Sequence, residues 1–86
     1  MKVQTREDST MMLHRITFDK NILTGKPIIR GMRISVDMIL ELLAKGATAE
    51  EILEDYPQLE RNDLNAALLY AHHLVAGETV LERIAA

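Results

Sequence analysis

The sequence predicts an α+β, mainly helical fold: a short N-terminal β-hairpin followed by a three-helix, helix-turn-helix-like core. Three observations lead there. Gly25-Lys26-Pro27-Ile28-Ile29-Arg30-Gly31-Met32-Arg33-Ile34-Ser35 joins an extended pair of isoleucines to a glycine turn and an apolar return. Apolar residues then recur at helical spacing from Val36. Last, a Thr48-x-x-Glu51 pattern precedes Tyr56-Pro57 and a longer periodic stretch to Val75.

From the N-terminus, residues 1–12 are polar and without period, and they read as a flexible tail ahead of a single domain over 13–86. His14-Arg15-Ile16-Thr17-Phe18-Asp19 alternates, so Ile16 and Phe18 are expected on one face of a short strand. Lys20 to Gly25 reads as a loop with Ile22 and Leu23 pinned against the core. The hairpin follows, with Gly31 as its positive-φ turn residue and Ser35 as the cap of the first helix. Val36, Ile39, Leu40 and Leu43 mark one face of that helix, which Gly46 stops. Thr48 and Glu51 cap a short second helix that ends before Tyr56-Pro57. The third helix runs from about Arg61 to Val75, with Leu64, Leu68, Ala71 and Val75 on one face. Its other side carries Ala66, Leu69, Tyr70 and His73, which are expected to meet a second copy or a partner. After Gly77, Val80, Leu81 and Ile84 suffice for one or two amphipathic turns.

With 86 residues, one small domain is expected, and self-association would help it bury apolar surface. The core must be aliphatic, since Phe18, Tyr56 and Tyr70 are the only aromatics. The absence of cysteine excludes disulfides and thiolate metal sites. No run approaches the roughly 20 apolar residues of a membrane span, and the expectation is a cytoplasmic protein without a membrane role.

The net charge of −3 conceals an asymmetry: residues 1–35 carry +4 and residues 36–86 carry −7. Two readings of the basic half follow. Arg15, Lys26, Arg30 and Arg33 either contact phosphates or an acidic partner, or they pair with the acidic helices of the same chain. At the start of the third helix Arg61, Asn62 and Asn65 are able to read base edges, whereas Glu60 and Asp63 would repel phosphates. For catalysis the residues are poorly arranged. No serine sits at a glycine-flanked elbow, and adjacent His72 and His73 diverge by about 100° on a helix rather than forming a zinc-binding pair. The expectation is no enzyme activity, no cofactor and no small-molecule substrate.

The order helix, Gly46, short capped helix, Tyr56-Pro57, longer helix matches a homeodomain-like trihelical core. Ile16-Thr17-Phe18-Asp19, the Gly25-Lys26-Pro27 to Arg30-Gly31-Met32-Arg33-Ile34 element, Ile39 to Leu43, Gly46, Glu50 to Leu53, Tyr56-Pro57 and Leu59 together resemble the domain-of-unknown-function 433 family over roughly residues 14–75. That resemblance implies a helix-turn-helix-like antitoxin that pairs with a PIN-like ribonuclease; the apolar third helix adds the expectation of a homodimer, with its own promoter DNA as a further candidate partner. The resemblance further implies that Arg30, Arg33 or Arg83 meets the nuclease's metal-binding carboxylates. The alternatives are a helix-turn-helix transcriptional regulator without a toxin and a dimeric protein-interaction module. Glu60 departs from the pattern, standing where a Thr or Ser cap often opens the third helix.

Overall fold

The structure, a computed structural model, describes residues 9–77. The elements are α1 (Ser9–Leu13), β1 (Ile16–Thr17), β2 (Ile28–Ile29), α2 (Val36–Ala44), α3 (Ala49–Asp55) and α4 (Arg61–Val75), with a tight turn at Leu23–Gly25. β1 and β2 pair antiparallel with Ile16 opposite Ile29 and Thr17 opposite Ile28. Ile28 also bridges Ser35, so β2 is flanked by chain on both edges. Side chains of consecutive strand residues point to opposite faces, and both Ile28 and Ile29 are fully buried. This is the expected α+β order of hairpin then helices.

The helix ends follow from their capping residues. Ser35 Oγ accepts the Met38 N–H at 2.9 Å and opens α2. Its far end closes as a Schellman motif: Gly46, at φ +101°, donates to the Leu43 carbonyl and Ala47 donates to that of Leu42. Thr48 and Glu51 satisfy each other's backbone N–H groups, at 3.1 and 2.8 Å, and open α3. Ile16, Ile29, Ile34, Ile39, Ile52, Leu59, Leu64 and Tyr70 anchor one apolar core under α4.

Three expectations are corrected. Residues 9–12, read as part of the tail, form α1 together with Leu13, and α1 packs on α4 with Met12 buried and Leu13 against the core. The rest of that tail, 1–8, lies outside the described residues, as does the amphipathic stretch 78–86 with Arg83. Phe18 does not follow Ile16 inward: the ladder ends at Thr17, and Phe18 stays 43% exposed with its ring centroid 6.4 Å from that of Tyr70. Ile22 and Leu23 are only half-buried and stand outside the core cluster, because Leu23, Thr24 and Gly25 turn the chain through three successive positive φ values.

Candidate functional site

The hairpin register sets two cations side by side. Ile16 faces Ile29, so Arg15 faces Arg30, and the Arg30 N–H donates to the Arg15 carbonyl at 2.8 Å. Like charges opposite each other on a strand pair repel unless a counter-charge joins them. Asp63, in the first turn of α4, supplies it. Arg30 forks onto its carboxylate, Nε to Oδ1 at 2.9 Å and Nη2 to Oδ2 at 2.8 Å, while Arg15 Nη1 donates to Oδ1 at 2.8 Å. The Glu60 N–H completes the set on Oδ2 at 2.8 Å. Arg30 Nη2 also reaches the Gln58 carbonyl at 3.1 Å, and Arg15 Nη1 reaches Glu60 Oε1 at 2.8 Å.

Asp63 is fully buried, and burial costs an ion several kcal/mol unless partners satisfy it. Desolvation pushes its carboxyl upward, but the Arg30 fork, the Glu60 N–H and Arg15 outweigh it and hold the carboxyl below its ordinary value. The Asp63 hydrogen bonds conversely raise the Arg30 guanidinium. Sequence reasoning took Asp63 for an exposed repeller of phosphates. The missed signal is position: Asp63, Ala66, Ala67 and Tyr70 fall at i, i+3, i+4 and i+7, the buried stripe of α4.

Arg30 and Gly31 form the hairpin turn with φ +44° and +74°, closed by Met32 N–H on the Ile29 carbonyl at 2.7 Å. The Gly31 N–H donates to Thr17 Oγ1 at 2.9 Å. Arg33, just beyond, is exposed and has no ion pair among the described residues. Lys26 stands at the other end of β2, 3.8 Å from Asp37, with both side chains in solvent.

Of the residues expected to read bases, Arg61 donates to Glu50 Oε2 at 2.8 Å. The Glu50 carboxyl is lowered first by its own backbone N–H and then by Arg61. Asn65 is exposed and Asn62 half-buried, 3.4 Å apart. Their surroundings are acidic, because Glu50, Glu51, Glu54, Asp55 and Glu60 are all exposed.

The expected interface is corrected at Ala66 and Tyr70. Ala66 and Tyr70 lie in the chain's own core, where burial raises the Tyr70 phenol, and Leu69 and His73 are half-buried. The outward apolar strip is instead Leu68 (48% exposed) and Val75 (89%), seven residues apart, while Leu74 (45%) falls at i+4 from Tyr70, on the line of the buried stripe. Leu64, on the line of Leu68 and Val75, is buried at the start of the helix, whereas Leu68, between buried Ala67 and Tyr70, points outward. Among the described residues no group of side chains is arranged to hold a metal ion, and no helix is long and apolar enough to cross a membrane.

Comparison with known proteins places residues 16–71 on the model of a family described as "Protein of unknown function (DUF433)". An uncharacterized protein, y4eO, of Sinorhizobium fredii (strain NBRC 101917 / NGR234) is 34% identical over 56 residues, 65% of this chain and 25% of that protein. The chain thus spans about a quarter of the length of this curated relative. The crystal structure of a DUF433 member protein from Anabaena variabilis ATCC 29413 superimposes with a TM-score of 0.63 at 28% identity, over 90% of this chain and 74% of that one. The matched family stretch contains Arg30, Asp63 and Leu68, and leaves Arg15, Leu74 and Val75 outside.

Proposed function

Because the chain belongs to the DUF433 family and commits Arg15 and Arg30 to its own α4, we propose that it is a protein-interaction module without catalytic activity, in which a second copy covers the outer strip of α4. The observation that carries this reading is the pairing of an acidic helical surface with a bare apolar one. Leu68 and Val75 are exposed on the side of α4 opposite the packed stripe of Asp63, Ala66, Ala67 and Tyr70. An apolar strip that meets the same strip of a second copy across a two-fold axis would make an isologous dimer. The carboxylates around Arg61 would meet phosphates unfavourably, which favours protein over nucleic acid as partner.

The more specific form of this reading, implied by the family resemblance, is an antitoxin that neutralises a PIN-like ribonuclease in the cytoplasm. A helix-turn-helix regulator that touches DNA through Arg61, Asn62 and Asn65 is the competing form. Light scattering after size exclusion tests the module: the chain is expected at twice its own mass, and Leu68→Glu with Val75→Glu at the monomer mass. An unassociated native chain that binds duplex DNA with a steep salt dependence would overturn the proposal in favour of the regulator.

A further inference from the structure

The helices α2 and α4 end on the same turn. At the end of α2, Gly46 donates its N–H to the Leu43 carbonyl at 3.1 Å, and the chain turns back so that Ala47 and Ala49 rest against the core. At the end of α4, Gly77 at φ +76° donates to the Leu74 carbonyl at 3.2 Å. A left-handed residue at this position breaks the helix and brings the chain that follows back beside the last turn.

An apolar surface lies beside that turn. Arg15 reaches Asp63, and the Phe18 ring lies 6.4 Å from that of Tyr70, two helical turns farther along α4. The chain from Arg15 to Phe18 therefore runs beside α4 toward its C-terminal end. Leu74, one turn beyond Tyr70, continues the same line. Phe18 and Leu74 thus both neighbour the buried Tyr70, and each is nearly half exposed.

Length and pattern point to the occupant of this surface. Beyond Gly77 the sequence reads Glu78-Thr79-Val80-Leu81-Glu82-Arg83-Ile84, with Val80, Leu81 and Ile84 at the spacing of one apolar helix face. From Tyr70 to Gly77 the helix rises about 10 Å. Three residues of extended chain carry Val80 back over about the same 10 Å. Phe18 and Leu74 alone expose too little surface for a stable contact between separate molecules, which buries on the order of 1,000 Å² or more. A segment tethered beside the patch meets it at high effective concentration, so a small area suffices.

We propose that residues 80–84 of the same chain dock on Phe18 and Leu74, with Val80, Leu81 and Ile84 covering the Tyr70 end of the core. This surface is separate from the strip of Leu68 and Val75, which the docked segment leaves free for a second copy.

The chain has no cysteine, so Ala86→Cys gives the full chain a single attachment point for a nitroxide spin label. Protein carrying both the label and 15N is diluted into an excess of unlabelled native chain, and amide broadening is read at Phe18 and Asp19, far from residue 86 in sequence. Both amide signals are expected to be lost, and to return when the nitroxide is reduced. Because tethering alone also brings the label toward this end of α4, the same measurement is made with Val80→Asp and Ile84→Asp added. That variant is expected to keep the native amide pattern of α2 and α3 and to retain the Phe18 and Asp19 signals with the nitroxide active. Broadening that survives the two aspartates, or Phe18 and Asp19 signals that the label leaves intact in the otherwise native chain, would overturn the proposal. So would broadening that arises only when 15N-labelled chain is mixed with unlabelled chain bearing the nitroxide, since the segment would then cover a second copy.

Discussion

The two ends of α4 are finished in opposite ways. At its N-terminal end Asp63 accepts four hydrogen bonds, from Arg15, from Nε and Nη2 of Arg30 and from the Glu60 backbone. At its C-terminal end Leu74 and Val75 are largely bare, and the helix stops at Gly77 with φ +76°. One end is closed with charge inside the molecule, the other left open with apolar surface outside it. The difference teaches where recognition belongs on this helix. Residues already satisfied by their own chain have nothing to gain from a partner, whereas exposed aliphatic surface gains roughly 25 cal/mol for every Å² covered.

The largest break in that contrast is Asp63→Ala. It strands two cations beside a buried site, and losing one partner of a buried ion group costs about 3–5 kcal/mol. Against a typical total of about 5–15 kcal/mol, urea unfolding should show a chain that is barely folded or not folded at all.

Acid sharpens the same end without a mutation. Since the folded-state Asp63 carboxyl lies below its ordinary value, the unfolded chain binds a proton first as pH falls. The stabilisation is complete above the unfolded value of about 3.9 and is lost as pH drops from there through the lower folded value. Urea midpoints for the native chain should fall below about pH 4, the range in which an unshifted aspartate would titrate.

A subtler comparison exploits the turn. Arg30 sits at φ +44°, a region that costs a non-glycine residue about 1–2 kcal/mol. Both Arg30→Ala and Arg30→Gly lose the fork on Asp63, worth about 1.5–3 kcal/mol for bonds to a charged group. Only glycine relieves the turn, so Arg30→Gly should be the more stable variant by about 1 kcal/mol in urea unfolding. Equal stability would mean that the turn relaxes freely.

The smallest effect on stability belongs to the open end. Leu68→Glu and Val75→Glu remove no contact of the core, and at monomer-level concentrations the unfolding free energy should stay within about 0.5 kcal/mol of the native value. A larger loss would show that the strip is packed within its own chain.

Much of the fold was legible because local chemistry dictates it. Ser35, Gly46, Thr48 and Glu51 each do in the structure what their residue types and spacing predict. The segment from Arg61 to Val75 was legible as a helix, but not its orientation. Its apolar residues surround too much of the circumference to fix a phase, and burial chose the stripe containing Asp63, Ala66, Ala67 and Tyr70. A buried carboxylate on that stripe is invisible to hydrophobic periodicity, since its justification lies in Arg15 and Arg30, far away along the chain. α1 escaped notice because five residues show no period and gain helical stability only through packing on α4. Pairing of the hairpin cations with the acidic helices was one of the two readings open to the sequence. The register of the strands decides for it at Arg15 and Arg30, and leaves Arg33 outside.

The most direct test of this division is a side-chain measurement on the unmodified protein: 15Nε–Hε spectra of its arginines at neutral pH, with hydrogen exchange followed for each. The account predicts that the Arg30 Nε–H, held 2.9 Å from Asp63 Oδ1, gives a distinct, slowly exchanging signal. The Arg33 signal should exchange as fast as that of a free arginine. If Arg30 and Arg33 exchange alike, the Asp63 fork does not close this end of α4, and the distinction between its closed and open ends fails.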